Sequence, residues 1–163
     1  MAWHLAQLNI ARPLAPIDSP LLAEFVAQLA EINALAESSP GFVWRLVGDN
    51  GNATGIQVAD PTIIVNMSVW QTPEHLFDYV YKTAHTKVMA RRREWFERIA
   101  TYMVLFWIPA GSIPTVDEAL AKLAVLEANG PSPEAFTFKQ RYPAPDEDPT
   151  PIDMKPEPYC TAG

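Results

Sequence analysis

The stretch TIIVNMSVW (62–70) constrains this chain more than any other, because its two faces differ in kind. Successive side chains of a strand point to opposite sides. Ile63, Val65, Met67 and Val69 therefore form one wholly apolar face, and Ile64, Asn66, Ser68 and Trp70 a mixed one. Residues 3–10, WHLAQLNI, repeat the division, with Ala6, Leu8 and Ile10 opposite Trp3, Leu5, Gln7 and Asn9. The apolar face suits packed helices. The half-polar, half-aromatic face is poor for a dry core but suited to lining a pocket or to facing another sheet. Trp3, Trp70, Trp44 and Trp107 would make a sticky patch if left bare. The expectation is that helices take the apolar face and a second copy of the chain, a homodimer partner, covers the mixed one.

The rest of the chain supplies the other layers. Asp18-Ser19-Pro20 opens a helix, with Ser19 as N-cap, Pro20 in the first turn and Leu21, Leu22, Phe25, Val26, Leu29 and Ile32 on one face. Ser38-Ser39-Pro40-Gly41 ends it. FVWRLV (42–47) reads as a second strand, GDNGN (48–52) as a turn, and 62–70 as the third strand. Thr72-Pro73 opens a helical stretch reaching about Ala100, broken near Lys82-Thr83, where Thr83 can cap a second piece. YMVLFWI (102–108) is the fourth strand. Thr115-Val116-Asp117-Glu118 is a capping box, and Asn129-Gly130 closes the helix it starts. FTFKQRY (136–142) is a short fifth strand. The order β-α-β-β-α-β followed by α-β is the split βαβ plan of an α+β, ferredoxin-like antiparallel sheet with an added C-terminal helix and strand. One domain spans 1–142, and the proline-rich, acidic residues 143–163 form an extended tail that cannot build a core.

Composition excludes several classes. At 163 residues and 48% hydrophobic, one globular domain is expected. No apolar run approaches the roughly 20 residues of a membrane span, and MAWHLAQLNIARP does not read as a signal peptide. The single cysteine, Cys160, gives no disulfide framework and suits a reducing cytoplasm; in the tail it is expected to be inert. A net charge of −7 argues against nucleic acid. Lys82, Lys87, Arg91, Arg92, Arg93 and Arg98 cluster on one helical stretch, interleaved with Glu94 and Glu97. They read as a salt-bridged face or as a handle for an anionic group. Three dispersed histidines, His4, His75 and His85, with no cysteine pair give no metal signature. Phosphate loop, serine nucleophile elbow and HExxH motif are all missing.

FDYVYKTAHTKVMARRREWFERI (77–99) and LFWIPAGSIPTVDEALAKL (105–123) resemble a bacterial domain-of-unknown-function family of the dimeric α/β-barrel superfamily. The resemblance covers about residues 3–142. It implies kinship with cofactor-independent antibiotic-biosynthesis monooxygenases, heme-degrading monooxygenases and heme-ligating relatives. In the heme degraders it implies an Asn on the first strand, a Trp ending the third and a His on the next helix, which Asn9, Trp70 and His85 supply here. In the quinone-oxidising members it implies a Tyr, for which Tyr79 or Tyr81 stands.

His85 is the best candidate for acid–base work, since imidazole titrates near neutral pH, and helical spacing sets it beside Val88, Met89 and Arg92. Asn9 and Trp70 suit substrate orientation, Tyr79 proton transfer, and Gln7, Asn66, Ser68 and Arg92 substrate contacts. The expected pocket lies between the helix-free sheet face and the helix bearing His85. Two classes remain: a small-molecule enzyme, cofactor-free and monooxygenase-like or rearranging an aromatic or polyketide-like substrate, and a non-catalytic module binding a small hydrophobic molecule. Heme binding or degradation through His85 is a further alternative.

Overall fold

The computed structural model describes residues 2–48, 53–83 and 85–147, and the backbone of 152–153. The GDNGN stretch beyond Gly48, and Cys160, lie outside them. Strand β1 (Trp3–Ala11) runs through the middle of the sheet. It lies between β3 (Ile64–Trp70) and β4 (Met103–Pro109), with β2 (Phe42–Arg45) on the far edge, in the order β2-β3-β1-β4. All pairings are antiparallel, which with the intervening helices is the ferredoxin-like arrangement. Leu5, Gln7 and Asn9 stand opposite Trp70, Ser68 and Asn66 on one side and Trp107, Leu105 and Met103 on the other. The two-residue alternation thus holds across three strands.

Not every expected cap acts as one. Ser19 stands before a 3-10 turn (Pro20–Leu22) that runs into α1 (Ala23–Ser38), but its side chain makes no capping bond, and fixed-φ Pro20 starts the turn instead. Thr72 caps α2 (Pro73–Lys82), its Oγ1 accepting from the His75 N–H at 3.2 Å. The break at Thr83 separates α2 from α3 (His85–Ala90), and a second break at Arg91 leaves a single-turn α4 (Arg92–Trp95). The expected run to Ala100 ends five residues early. Phe96 turns extended and bridges Pro13, which lets Trp95 and Phe96 bury with Leu22 beneath the start of α1. Helix α5 (Val116–Asn129) carries the complete Thr115–Glu118 capping box and ends at Gly130 with φ +75°. Gly41 is required twice over: its φ is +82°, and a Cβ there would sit 2.1 Å from the His75 ring.

The distribution of helices over the sheet differs from expectation. The apolar face (Ala6, Leu8, Val65, Met67, Val69, Val104, Phe106) packs on Ala119, Leu123 and Leu126 of α5. The mixed face is not helix-free: Leu5, Trp70 and Leu105 cluster with Ala36 of α1 and with Leu76, Tyr79 and Tyr81 of α2. Trp70 is fully buried within the chain. Helices α1 and α2, expected on the apolar face, supply the cover that a partner was expected to provide, and the helix read as an appendage takes the apolar face in their place, so the mixed face gives no reason for a dimer. Of 136–142, only Gln140–Arg141 (β5) is strand; it pairs with β6 (Ile152–Asp153). Phe136 adds one bridge to Leu105 at the β4 edge. Among the described residues no helix is long and apolar enough to cross a membrane.

Candidate functional site

Covering a half-polar sheet face with helices leaves a gap, because the short polar side chains of β1 and β3 cannot fill it and the segmented α3 and α4 do not close over it. The result is a cavity of about 200 Å³ between the sheet, α1, α2 and α3. Gln7, Asn9, Asn66, Ser68, Trp70, Tyr79, His85 and Arg92, drawn from five elements, all line it. Its other walls are largely apolar, including Phe25, Leu29, Ile32, Val88, Met89 and Met103. Among the described residues, no group of three or more His, Cys, Asp or Glu side chains could hold a metal ion.

A hydrogen-bonded chain crosses the sheet side of the cavity. Asn9 Nδ2 donates to Gln7 Oε1 at 3.1 Å, and Gln7 Nε2 donates to Ser68 Oγ at 2.9 Å. Trp70 Nε1 donates to the same Ser68 oxygen at 2.8 Å. The chain exists because residues i and i+2 share a face and because Gln7 stands opposite Ser68 in the register. Gln7 and Ser68 are the two buried polar residues on the sheet, and they satisfy each other. Asn66, opposite Asn9, reaches the rim and is exposed.

The helix side is an aromatic ladder. Trp70 stacks on Tyr79 with ring centres 5.1 Å apart, and Tyr79 lies 4.9 Å from the His85 ring. The Tyr79 hydroxyl donates to the Ile32 carbonyl at 3.2 Å, and burial raises its pKa, so it stays a protonated phenol. Burial pushes the His85 pKa down to about 4, opposed by the Val80 carbonyl 3.4 Å from Nδ1. A carbonyl can only accept, so the proton sits on Nδ1 and Nε2 keeps its lone pair. Thr83 Oγ1 accepts from the His85 N–H at 3.3 Å, fixing the start of α3 where the ring enters the cavity wall. Arg92 lies over the Tyr102 ring at 4.3 Å, at the same wall.

Arg45 also lines this cavity, a position that strand alternation alone does not signal. Simple alternation would place Arg45 with Val43, away from Phe42. A bulge between Phe42 and Trp44 shifts the register, so that Trp44 pairs with Val69 and Arg45 with Ser68. Trp44 consequently packs against the apolar cluster rather than sharing a face with Trp70. Arg45 Nε donates to Glu37 Oε1 at 2.8 Å, tying the β2 edge to the end of α1. Of the other histidines, His75 is held in the first turn of α2 with its Nδ1 2.8 Å from Thr72 Oγ1, and neither it nor His4 lines the cavity.

The chain is similar to several solved structures, at low identity. A conserved protein from Methanosarcina mazei Go1 superposes with a TM-score of 0.47 at 10% identity, over 65% of this chain and 91% of that one. Rv0793 from Mycobacterium tuberculosis does so with a TM-score of 0.47 at 12% identity, over 69% and 99%. The monooxygenase ActVA-Orf6 of Streptomyces coelicolor, solved with the ligand nanaomycin D, gives 0.35 at 12%, over 70% and 92%. No curated protein matches the chain in sequence. A family model described as a domain of unknown function, DUF3291, matches residues 4–151, and the chain belongs to that family.

Proposed function

We propose that the cavity is the active site of a small-molecule enzyme that removes a proton from an aromatic substrate, in the manner of cofactor-independent monooxygenases. The observation that carries this reading is the meeting, in one apolar cavity, of an uncharged imidazole with a free Nε2 and a chain of amide and hydroxyl groups ending on Trp70. His85 takes the proton, and Asn9 and Ser68 hold the oxygen on which negative charge develops. An imidazole with its pKa near 4 is a weak base when alone. A substrate anion formed beside it stabilises the imidazolium and raises that pKa as the proton moves. Trp70 and Tyr79 form a flat wall, Gln7 aligns Asn9 with Ser68, and Asn66 and Arg92 stand at the rim. Oxygenation then needs no added reductant: CH₂ + O₂ → C=O + H₂O draws all four electrons from the substrate's own carbon.

Size narrows the substrate. A cavity of about 200 Å³ is a little larger than the ~150 Å³ void that takes up benzene, so it fits one or two rings and not an extended polyketide. The same comparison favours a small aromatic molecule over heme, whose four pyrrole rings exceed that volume. A single cysteine suits a cytoplasmic enzyme. A homodimer remains a proposal on a different ground: β2 is a sheet edge with Val43 and Val47 exposed beside it. A monomer mass by light scattering at micromolar concentration would remove it.

The test is hydrogen–deuterium exchange at the acidic methylene of 2-indanone in D₂O, followed by NMR. The protein should accelerate exchange, and His85→Ala should abolish the acceleration. Bound 2-indanone with no acceleration would assign the cavity to a non-catalytic binding module instead.

A further inference from the structure

We propose that the Ser68 hydroxyl is the polar anchor of the ligand and that it selects molecules presenting a carbonyl or enolate oxygen. This rests on the cavity being a ligand site, and names what that site recognises. A serine hydroxyl offers one donor and two acceptor positions. Both acceptor positions of Ser68 are occupied: Gln7 Nε2 donates to Oγ at 2.9 Å and Trp70 Nε1 at 2.8 Å. An indole N–H can only donate, so Trp70 fixes that end of the chain. With two hydrogens directed at Oγ, the hydroxyl hydrogen must point elsewhere, and no described residue accepts from it. Ser68 is 7% exposed and lines the cavity, so the hydrogen is directed at whatever fills that space.

A buried donor without an acceptor disfavours a purely apolar occupant, and one with a lone pair in place relieves the cost. Asn9 continues the same line, one of its amide hydrogens being used on Gln7 and the other free. An oxygen seated on Ser68 therefore meets donors along the sheet, an arrangement suited to a carbonyl that gains charge when the neighbouring carbon loses a proton. Reversing both amides would turn Ser68 toward Gln7 and move the ligand's donor to Asn9, which the experiment separates.

The experiment compares acetophenone with α-methylstyrene, which has the same shape with C=CH₂ in place of C=O, by isothermal titration calorimetry. Wild type should bind acetophenone about tenfold more tightly, the ratio one neutral hydrogen bond supplies. Ser68→Ala should lose most of that preference, acetophenone binding more weakly and α-methylstyrene no worse. If both bind wild type equally, the anchor is overturned while the cavity stands as a site. Preference retained in full in Ser68→Ala assigns the donor to another group of the chain, Asn9, Gln7 or Trp70, and also overturns it. If neither compound binds, the ligand-site reading itself fails. Should Ser68→Ala not fold, the infrared C=O stretch of acetophenone bound to wild type decides. A fall in frequency relative to hexane supports the anchor, and an unshifted band overturns it.

Discussion

The two faces of one sheet are built on opposite rules. On the face under α5, the strand positions are apolar apart from His4 at the start of β1, and the covering helix is one unbroken piece, capped at both ends. On the other, polar residues interrupt the apolar ones at Gln7, Asn9 and Ser68, and the cover is divided among α1, α2, α3 and α4. The first face fills its space and the second keeps a cavity. Dry packing needs complementary volumes on both sides, whereas short amides and a hydroxyl under a segmented helix leave room and supply hydrogen bonds to whatever enters. Stability and chemistry are thereby assigned to different sides of the same four strands.

The largest effect that would break this contrast is in the apolar core. Phe106→Ala should cost about 3–5 kcal/mol, a fall of roughly 10 °C in Tm. Leu29→Ala, on the cavity wall, should cost about 1 kcal/mol, because one side of Leu29 already faces empty space. Equal losses in denaturant titrations would mean that the two faces are packed alike.

Next in size is the pH dependence that His85 confers. Its folded pKa, about 4, lies below the ordinary 6.5. Above pH 6.5 the ring is neutral in both states and has no effect. Between pH 6.5 and 4 the unfolded chain takes up a proton that the folded one refuses, so stability falls with pH by up to about 3 kcal/mol. Urea unfolding at several pH values should show this slope flattened in His85→Leu. An unchanged slope would place the ring in contact with water.

Removing the capping box tests the rigid side more gently. Thr115→Ala should lower stability by about 1 kcal/mol by calorimetry, since Thr115 Oγ1 accepts the Glu118 N–H at 3.1 Å. A negligible change would show that packing against the sheet, rather than the cap, starts α5. The smallest effect is expected at the C-terminus: we propose that 1–142 folds alone. A chain ending at Tyr142 keeps the Trp107 Nε1 bond to the Tyr142 carbonyl and loses the two-residue β5–β6 pairing. Its Tm should fall by no more than a few degrees, and a larger loss would extend the domain toward residue 153.

Much of this was legible before any coordinates. The alternation in 62–70 and 3–10 gave the two faces, and Thr72-Pro73, the break at Thr83 and the Thr115 box gave helix boundaries, because each is a local effect of backbone geometry or capping. The eight residues singled out for the site do line one cavity. Which layer covers which face was not legible. Helix α5 and the pair α1 and α2 are each amphipathic, and nothing local says which strand surface either will meet. Arg45 was hidden for a related reason: its direction depends on a bulge set by pairing with β3. The sequence by itself determined which side chains share a strand face, where helices begin and stop, and which polar groups sit among apolar neighbours, all consequences of bonding within a few residues. Only the tertiary structure decided that α5 seals the apolar face, that Gln7 meets Ser68 across two strands, and that His85 is held neutral at the wall of the space above them. Those depend on long-range packing and on the loss of water from buried groups.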